Sequence, residues 1–278
     1  MSSNGTGVVT NHYDEEKGLR RTDTSVTMPP ELFEKLYLSP KVPPHAGDYN
    51  NNNRRFANPT ALGFVGFVIS TFTFAMVLMG WGGAEGASPV VGIFFFVGPV
   101  LLTFAMVFEW VMGEFFPMMV MGLFSVFWLS LGLLQLPALG LGRPYASAAD
   151  PAGTAAPAYN AAVALYLVVW GFALCTFFVF ALAINAVFAL IFGLVSVAAW
   201  VLAGAYFKVA AGEYEAAGRL QETGGALLFV VAALGWYMCF IIMAGEMRMK
   251  LKLPVGDLSH FWPRTDVELA EAAEAHQD

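Results

Sequence analysis

Five stretches of this chain run for more than twenty residues without an Asp, Glu, Lys or Arg: Phe56 to Ala84 (29), Gly86 to Phe108 (23), Phe115 to Gly142 (28), Pro151 to Phe207 (57) and Thr223 to Gly245 (23). About 20 mostly apolar residues in a helix cross a hydrocarbon layer about 30 Å thick. The 57-residue run is long enough for two helices, and Ala183-Ile184-Asn185-Ala186 supplies a polar step between Ala161 to Leu182 and Val187 to Phe207. The expectation is an all-α integral membrane protein, a bundle of six transmembrane helices, with five as the fallback.

Charge distribution agrees. Charged residues make up 13% of the chain, against roughly 25% in soluble domains, and only 10 of the 35 lie between residues 57 and 245. The reading divides the chain into a largely disordered tail (1–56), a six-helix membrane domain (57–247) and a C-terminal tail (248–278). Pro30 to Tyr37 and Asp266 to Ala275 are short helix candidates within the tails. The Ala-, Gly- and Pro-rich stretch from Pro137 to Ala158 reads as an irregular loop.

Orientation follows from the basic residues, which are retained on the cytoplasmic side. The two tails hold 11 of the 14 Lys and Arg residues, and the loops expected on the opposite face hold only Arg143, Lys208 and Arg219. Both termini are therefore expected in the cytoplasm. Cys175 and Cys239 fall inside apolar spans and read as buried thiols rather than a disulfide framework.

The chemistry available inside the spans is narrow. All four histidines, His12, His45, His260 and His276, lie outside them, so no haem or metal ligands are apparent and no cofactor is expected. There is no serine-nucleophile elbow and no pair of acids within one span, so an enzyme is not expected. No basic patch with aromatic platforms suggests nucleic acid. What enters the apolar runs is a set of hydroxyls and amides, among them Ser70, Thr71, Thr103, Ser125 and Thr176, together with many glycines, which allow helices to approach closely. Glu109 and Glu246 lie near span ends, where a snorkelling or capping carboxylate is the ordinary reading and proton handling the functional one. Trp128 and Trp170 lie mid-span, which favours internal packing.

The start of the first span is more specific. Asn58-Pro59 places an amide at the N-cap and proline at the first helical position, so free N–H groups and the positive end of the helix dipole face the membrane surface. Such an end attracts a carboxylate. The segment Asn58-Pro59-x-x-Leu62-Gly63-x-x-Gly66-Phe67 resembles the Asn-Pro-Ala-Pro-Leu-Gly signature of the acetate uptake transporters, which include the fungal ammonia-transport-outward proteins and the bacterial succinate-acetate permeases. The resemblance continues through Phe108-Glu109-Trp110-x-x-Gly113, Phe127-Trp128-Leu129-Ser130-Leu131, Tyr166-Leu167-x-x-Trp170-Gly171, Ala244-Gly245-Glu246 and Leu253-Pro254-Val255-Gly256.

That resemblance implies six helices per subunit, a homohexamer in a membrane, and a path through each subunit pinched by three side chains. Carried over by motif, these are Phe67, Phe124 and Val195, with Phe124 standing where the family has a tyrosine. Thr60 and Ala61 replace the signature's Ala and Pro. It further implies a transporter or channel for small monocarboxylates such as acetate in the plasma membrane, with a substrate-binding mouth at Asn58, Pro59, Leu62, Gly63, Ser70 and Thr71. Ammonia or ammonium export on the same path, or a transport-inactive scaffold of the same fold, are the alternatives.

The topology is directly testable. In a background lacking Cys175 and Cys239, single cysteines placed at Ser3 and Ser147 are expected to react with an impermeant thiol reagent from opposite sides of the membrane; labelling from one side would overturn the arrangement.

Overall fold

The computed structural model describes residues 57–251 and 253–262; the two tail helix candidates lie outside them. Among the described residues, six helices are long and apolar enough to cross a membrane: α1 (Thr60–Leu78), α2 (Gly98–Met112, which spans as Ile93–Met112 with the π turn that precedes it), α3 (Phe115–Leu134), α4 (Pro157–Ala181), α5 (Ala186–Ala210) and α6 (Tyr214–Glu246). The six-span reading holds.

Helix ends are set by familiar chemistry. Pro157 opens α4, where a missing N–H costs nothing. The polar step within the 57-residue run is a true break: the Asn185 side chain accepts from Phe188 N at 2.9 Å and caps α5. Gly113 ends α2 in the left-handed region (φ 81°), the conformation that glycine adopts without a Cβ penalty. Before α2, Ile93–Val97 forms one π-type turn, which widens the helix where Phe94 enters the core.

Two spans differ from the uncharged runs. α2 carries Glu109 one turn before its end, because a run that stops at the first charge cannot see a carboxylate that is buried and paired. α6 begins nine residues before Thr223, taking in Glu215 and Arg219, which pair at 2.7 Å with i,i+4 spacing. Its 33 residues extend about 50 Å, more than the hydrocarbon layer requires, so one end projects beyond it.

The helices pack as a ring. α1 lies against α2 and α6, α2 against α3, and α5 against α4 and α6. Side chains join α3 to α4: Phe127 meets Trp170 with ring centroids 4.9 Å apart, and Ser130 hydrogen-bonds Tyr166. Glycines set the closest approaches. A Cβ on Gly171 of α4 would lie 2.1 Å from Trp200 Nε1 of α5, and one on Gly63 would lie 2.4 Å from Met121 Sδ.

Two segments outside the helices are more ordered than their composition suggests. The α3–α4 connection holds short 3-10 turns at Pro137–Leu139 and Arg143–Tyr145. The Asp150 carboxylate accepts from Gly153 N and Ala155 N at 2.9 and 2.8 Å, and Asn160 Nδ2 donates to Thr154 O at 2.8 Å. Short polar side chains thus replace the backbone ladder that the loop lacks.

Beyond α6, part of the expected C-terminal tail docks on the bundle. Ala186 N donates to Gly256 O (2.7 Å), Leu258 N to Ile184 O (3.2 Å) and Trp262 Nε1 to Leu182 O (3.1 Å). These bonds satisfy the first turn of α5, which a helix cannot pair internally, and the carbonyls of Leu182 and Ile184 in the turn that follows α4.

Gly171→Val should cost about 1–3 kcal/mol, because the added side chain overlaps the Trp200 indole and a shift of that ring breaks its hydrogen bond to Val168 O. Gly218→Ala, where a Cβ meets open space in α6, should be neutral or slightly stabilising. Thermal denaturation in one detergent checks both.

Candidate functional site

The first turn of α1 is built differently from an open anion cradle. The helix starts one residue later than expected, with Pro59 rather than Asn58 at the N-cap (φ −82°, ψ −12°), and Asn58 Oδ1 still accepts from Thr60 N at 3.0 Å. The same amide donates through Nδ2 to Glu246 Oε1 at 3.3 Å, and the Thr60 hydroxyl donates to Glu109 Oε1. Two of the protein's own carboxylates therefore occupy the positive end of α1, where the helix dipole favours them. Glu109 is only 1% exposed; it does not snorkel to solvent.

The other expected mouth residues separate. Leu62 is 42% exposed and faces out of the bundle, while Gly63 is a packing glycine against Met121 and Ala105. Ser70 and Thr71 are buried, but their hydrogens are spent: Thr71 Oγ1 donates to Phe67 O at 2.7 Å and Ser70 Oγ to Ile93 O at 3.4 Å. They can accept a hydrogen bond more readily than donate one.

The expected pinch residues converge on the centre of the ring. Phe67 of α1 and Phe124 of α3 meet with centroids 4.8 Å apart at a 55° tilt, and Phe124 continues to Phe192 of α5 at 6.1 Å. A cavity of about 20 Å³ lies to one side, lined by Phe64, Leu102, Met121, Phe188 and Phe192 together with the pair. A second, of about 40 Å³, lies to the other, lined by Thr71, Trp128, Trp170, Leu174 and Val195 together with the same pair. Phe67 and Phe124 belong to both walls, so they are the partition, and Val195 faces the second cavity only. Each space is on the order of one to a few water molecules.

Three contributors escaped the sequence reading. Phe192 continues the aromatic layer. Gly235 of α6 seats the Phe67 ring, since a Cβ there would lie 3.1 Å from Phe67 Cε1. Trp128 was read as packing and does pack against Phe74 and Phe94, yet it also lines the larger cavity. A signal for Phe192 was present: Phe188, Ile191, Phe192, Val195 and Ala199 recur at steps of three and four on α5 and all line the path. It was hidden because α5 is apolar on every side.

A family model described as the GPR1/FUN34/yaaH family matches residues 42–260. The chain belongs to this family. Among family relatives, Protein alcS of Aspergillus fumigatus is 34% identical over 260 residues, covering 92% of this chain and 94% of that protein. Acetate transporter protein patA of Penicillium expansum is 31% identical over 211 residues, covering 76% and 82%. A solved structure titled as that of the bacterial acetate channel SatP matches with a TM-score of 0.57 at 22% identity, covering 73% of this chain and all of that one. At that identity the match establishes a shared fold for this GPR1/FUN34/yaaH member.

The carboxylate at the α1 end makes a stability prediction. Thr60→Val removes the hydroxyl that serves buried Glu109 and should destabilise by about 1–3 kcal/mol. Thr60→Ser, which keeps the donor, should recover most of the loss in the same thermal assay.

Proposed function

We propose that this protein is a membrane transporter or channel for small monocarboxylates such as acetate, moved as the neutral acid or together with a proton. One observation carries the reading: two small cavities at the centre of the helix ring share the Phe67–Phe124 pair as a common wall. Relatives named as an acetate transporter and an acetate channel point to the solute class.

The cavity walls are aromatic and aliphatic and present almost no polar surface. An unpaired anion loses its water in such a place at great cost, whereas a protonated acid sheds little. Glu109 and Glu246 stand at the α1 end of this route, bonded to Thr60 and Asn58, where they suit proton exchange better than anion capture. The same reading places the protein in the plasma membrane as a homohexamer with both termini cytoplasmic. Exposed apolar side chains such as Phe104 and Phe172 offer surface for lipid and for neighbouring copies.

Acetate flux into vesicles carrying the purified protein, measured at zero membrane potential, is expected to rise as pH falls. Phe67→Ala should raise flux and admit bulkier acids. Gly235→Leu, which crowds the seat of Phe67, should lower it, and adding Phe67→Ala should restore it. Flux that is flat or falling on acidification, with all variants unchanged, would rule the mechanism out.

A further inference from the structure

The smaller cavity measures about 20 Å³, room for about one water molecule and less than acetic acid fills. A solute enters it only when part of its wall yields. On one side that wall is the Phe67–Phe124–Phe192 layer, with the Phe67 ring seated on Gly235. The wall also holds Phe64 and Phe188, whose ring centroids are 5.9 Å apart.

This second pair lies nearer one face of the bundle. Phe64 precedes Phe67 by three residues and Phe188 precedes Phe192 by four, which sets each about 4.5–6 Å closer to the start of its helix. In a chain of six consecutive spans, α1 and α5 start at the same face. Because α6 stands between α1 and α5 in the ring, the Phe64–Phe188 contact reaches across the interior rather than along a helix–helix seam.

Phe188 is half-buried, whereas Phe64, Phe67, Phe124 and Phe192 are buried. It also belongs to the first turn of α5, whose N–H groups have no acceptor within the helix. Those acceptors come from outside: Asn185 Oδ1 for Phe188 N, Gly256 O for Ala186 N and Val255 O for Val187 N. The segment that supplies two of them is itself held by a few polar bonds, among them Tyr237 Oη to Pro254 O at 2.8 Å and Trp262 Nε1 to Leu182 O at 3.1 Å. The position of Phe188 thus depends on a strap of backbone lying outside the six helices.

Resting on the transport reading above, we propose that Phe64 and Phe188 form a second gate across the path, at the face where α1 begins, and that residues 253–262 are the latch that holds it shut. The smaller cavity is the chamber between the two gates. When the latch releases Ala186 and Val187, the first turn of α5 loosens and Phe188 moves off Phe64. The chamber then widens to take the solute while the Phe67–Phe124 pair stays closed behind it.

Two measurements on the full chain in vesicles test this, both in the background lacking Cys175 and Cys239. Met121→Cys reports on the chamber, which Met121 lines. A small impermeant thiol reagent applied from the side where α1 begins should label it slowly. Labelling should be about five-fold faster with Tyr237→Phe, which removes only the hydroxyl bonded to Pro254 O, the worth of one ordinary hydrogen bond. Phe64→Ala and Phe188→Ala should speed it further, and Phe74→Ala, an equal truncation beyond the Phe67–Phe124 pair, should not. Rates unchanged in the first three variants would overturn the proposal while leaving acetate transport intact.

The second measurement locks the latch. Asn185 and Asp257 oppose each other in an antiparallel bridge, flanked by the Ala186 N–Gly256 O and Leu258 N–Ile184 O bonds. Such a pair has Cα atoms about 4.5 Å apart, a spacing that a disulfide spans. With Asn185→Cys and Asp257→Cys and without the Met121 reporter, the oxidised chain should move acetate several-fold more slowly than the same chain reduced with dithiothreitol. Equal flux in the two forms would overturn the latch, and with it the proposal. A native chain that moves no acetate above empty vesicles would overturn the transport reading and this proposal together.

Discussion

Hydrocarbon offers no hydrogen bonds, and nearly every feature of this protein answers that constraint. Backbone amides close on themselves in six helices because no other open structure can cross a bilayer satisfied. Hydroxyls fold back on carbonyls one turn away, as Thr71 does to Phe67 and Ser196 to Phe192. Where α5 begins straight after a short turn, outside help arrives: Asn185 and the backbone of Val255 and Gly256 supply acceptors to its first turn. Even Glu109, the most expensive side chain to bury, is met by the Thr60 hydroxyl at a helix N-terminus.

The same economy leaves the centre of the ring to side chains that need no partners. Phe67, Phe124 and Phe192 form a layer whose rings meet at tilts of 55° and 30°, arrangements in which the ring quadrupoles attract rather than oppose each other. Phenylalanine has two rotatable bonds, and Gly235 fixes the seat of one ring from behind. The partition is accordingly a stiff object held from two helices, and its tightness depends on α6 as much as on the residues that touch a solute.

Much of the fold was legible because length, apolarity and charge are one-dimensional quantities. Six spans follow from counting, and the break at Asn185 follows from one polar step. The site was less legible, for a specific reason. On helices apolar all round, period carries little contrast, so Phe192 looks like any other phenylalanine until α5 is turned toward its neighbours. The burial of Glu109 was not legible because a carboxylate near a span end looks exposed in sequence, whereas in space its partner is 49 residues away in Thr60. At the Asn58–Pro59 helix start the carboxylates in place are the protein's own, Glu246 and Glu109. Phe67, Phe124 and Val195 came from resemblance to a family, not from physics.

The docking of residues 253–262 onto the α4–α5 turn sets an order of events during synthesis. The amides of Ala186 and Val187 find their acceptors in Gly256 and Val255, which leave the ribosome only after all of α6 has been made. Until then α5, which carries Phe192 and Val195 to the centre, begins with two bare donors and only the Asn185 side chain to hold its first turn. A nascent bundle can therefore insert all six helices and still lack a finished start to its fifth. The last described segment acts as a clasp on the helix behind the aromatic layer, so the arrival of residues 255–262, rather than insertion of the spans, marks the moment at which that wall of the path is fixed.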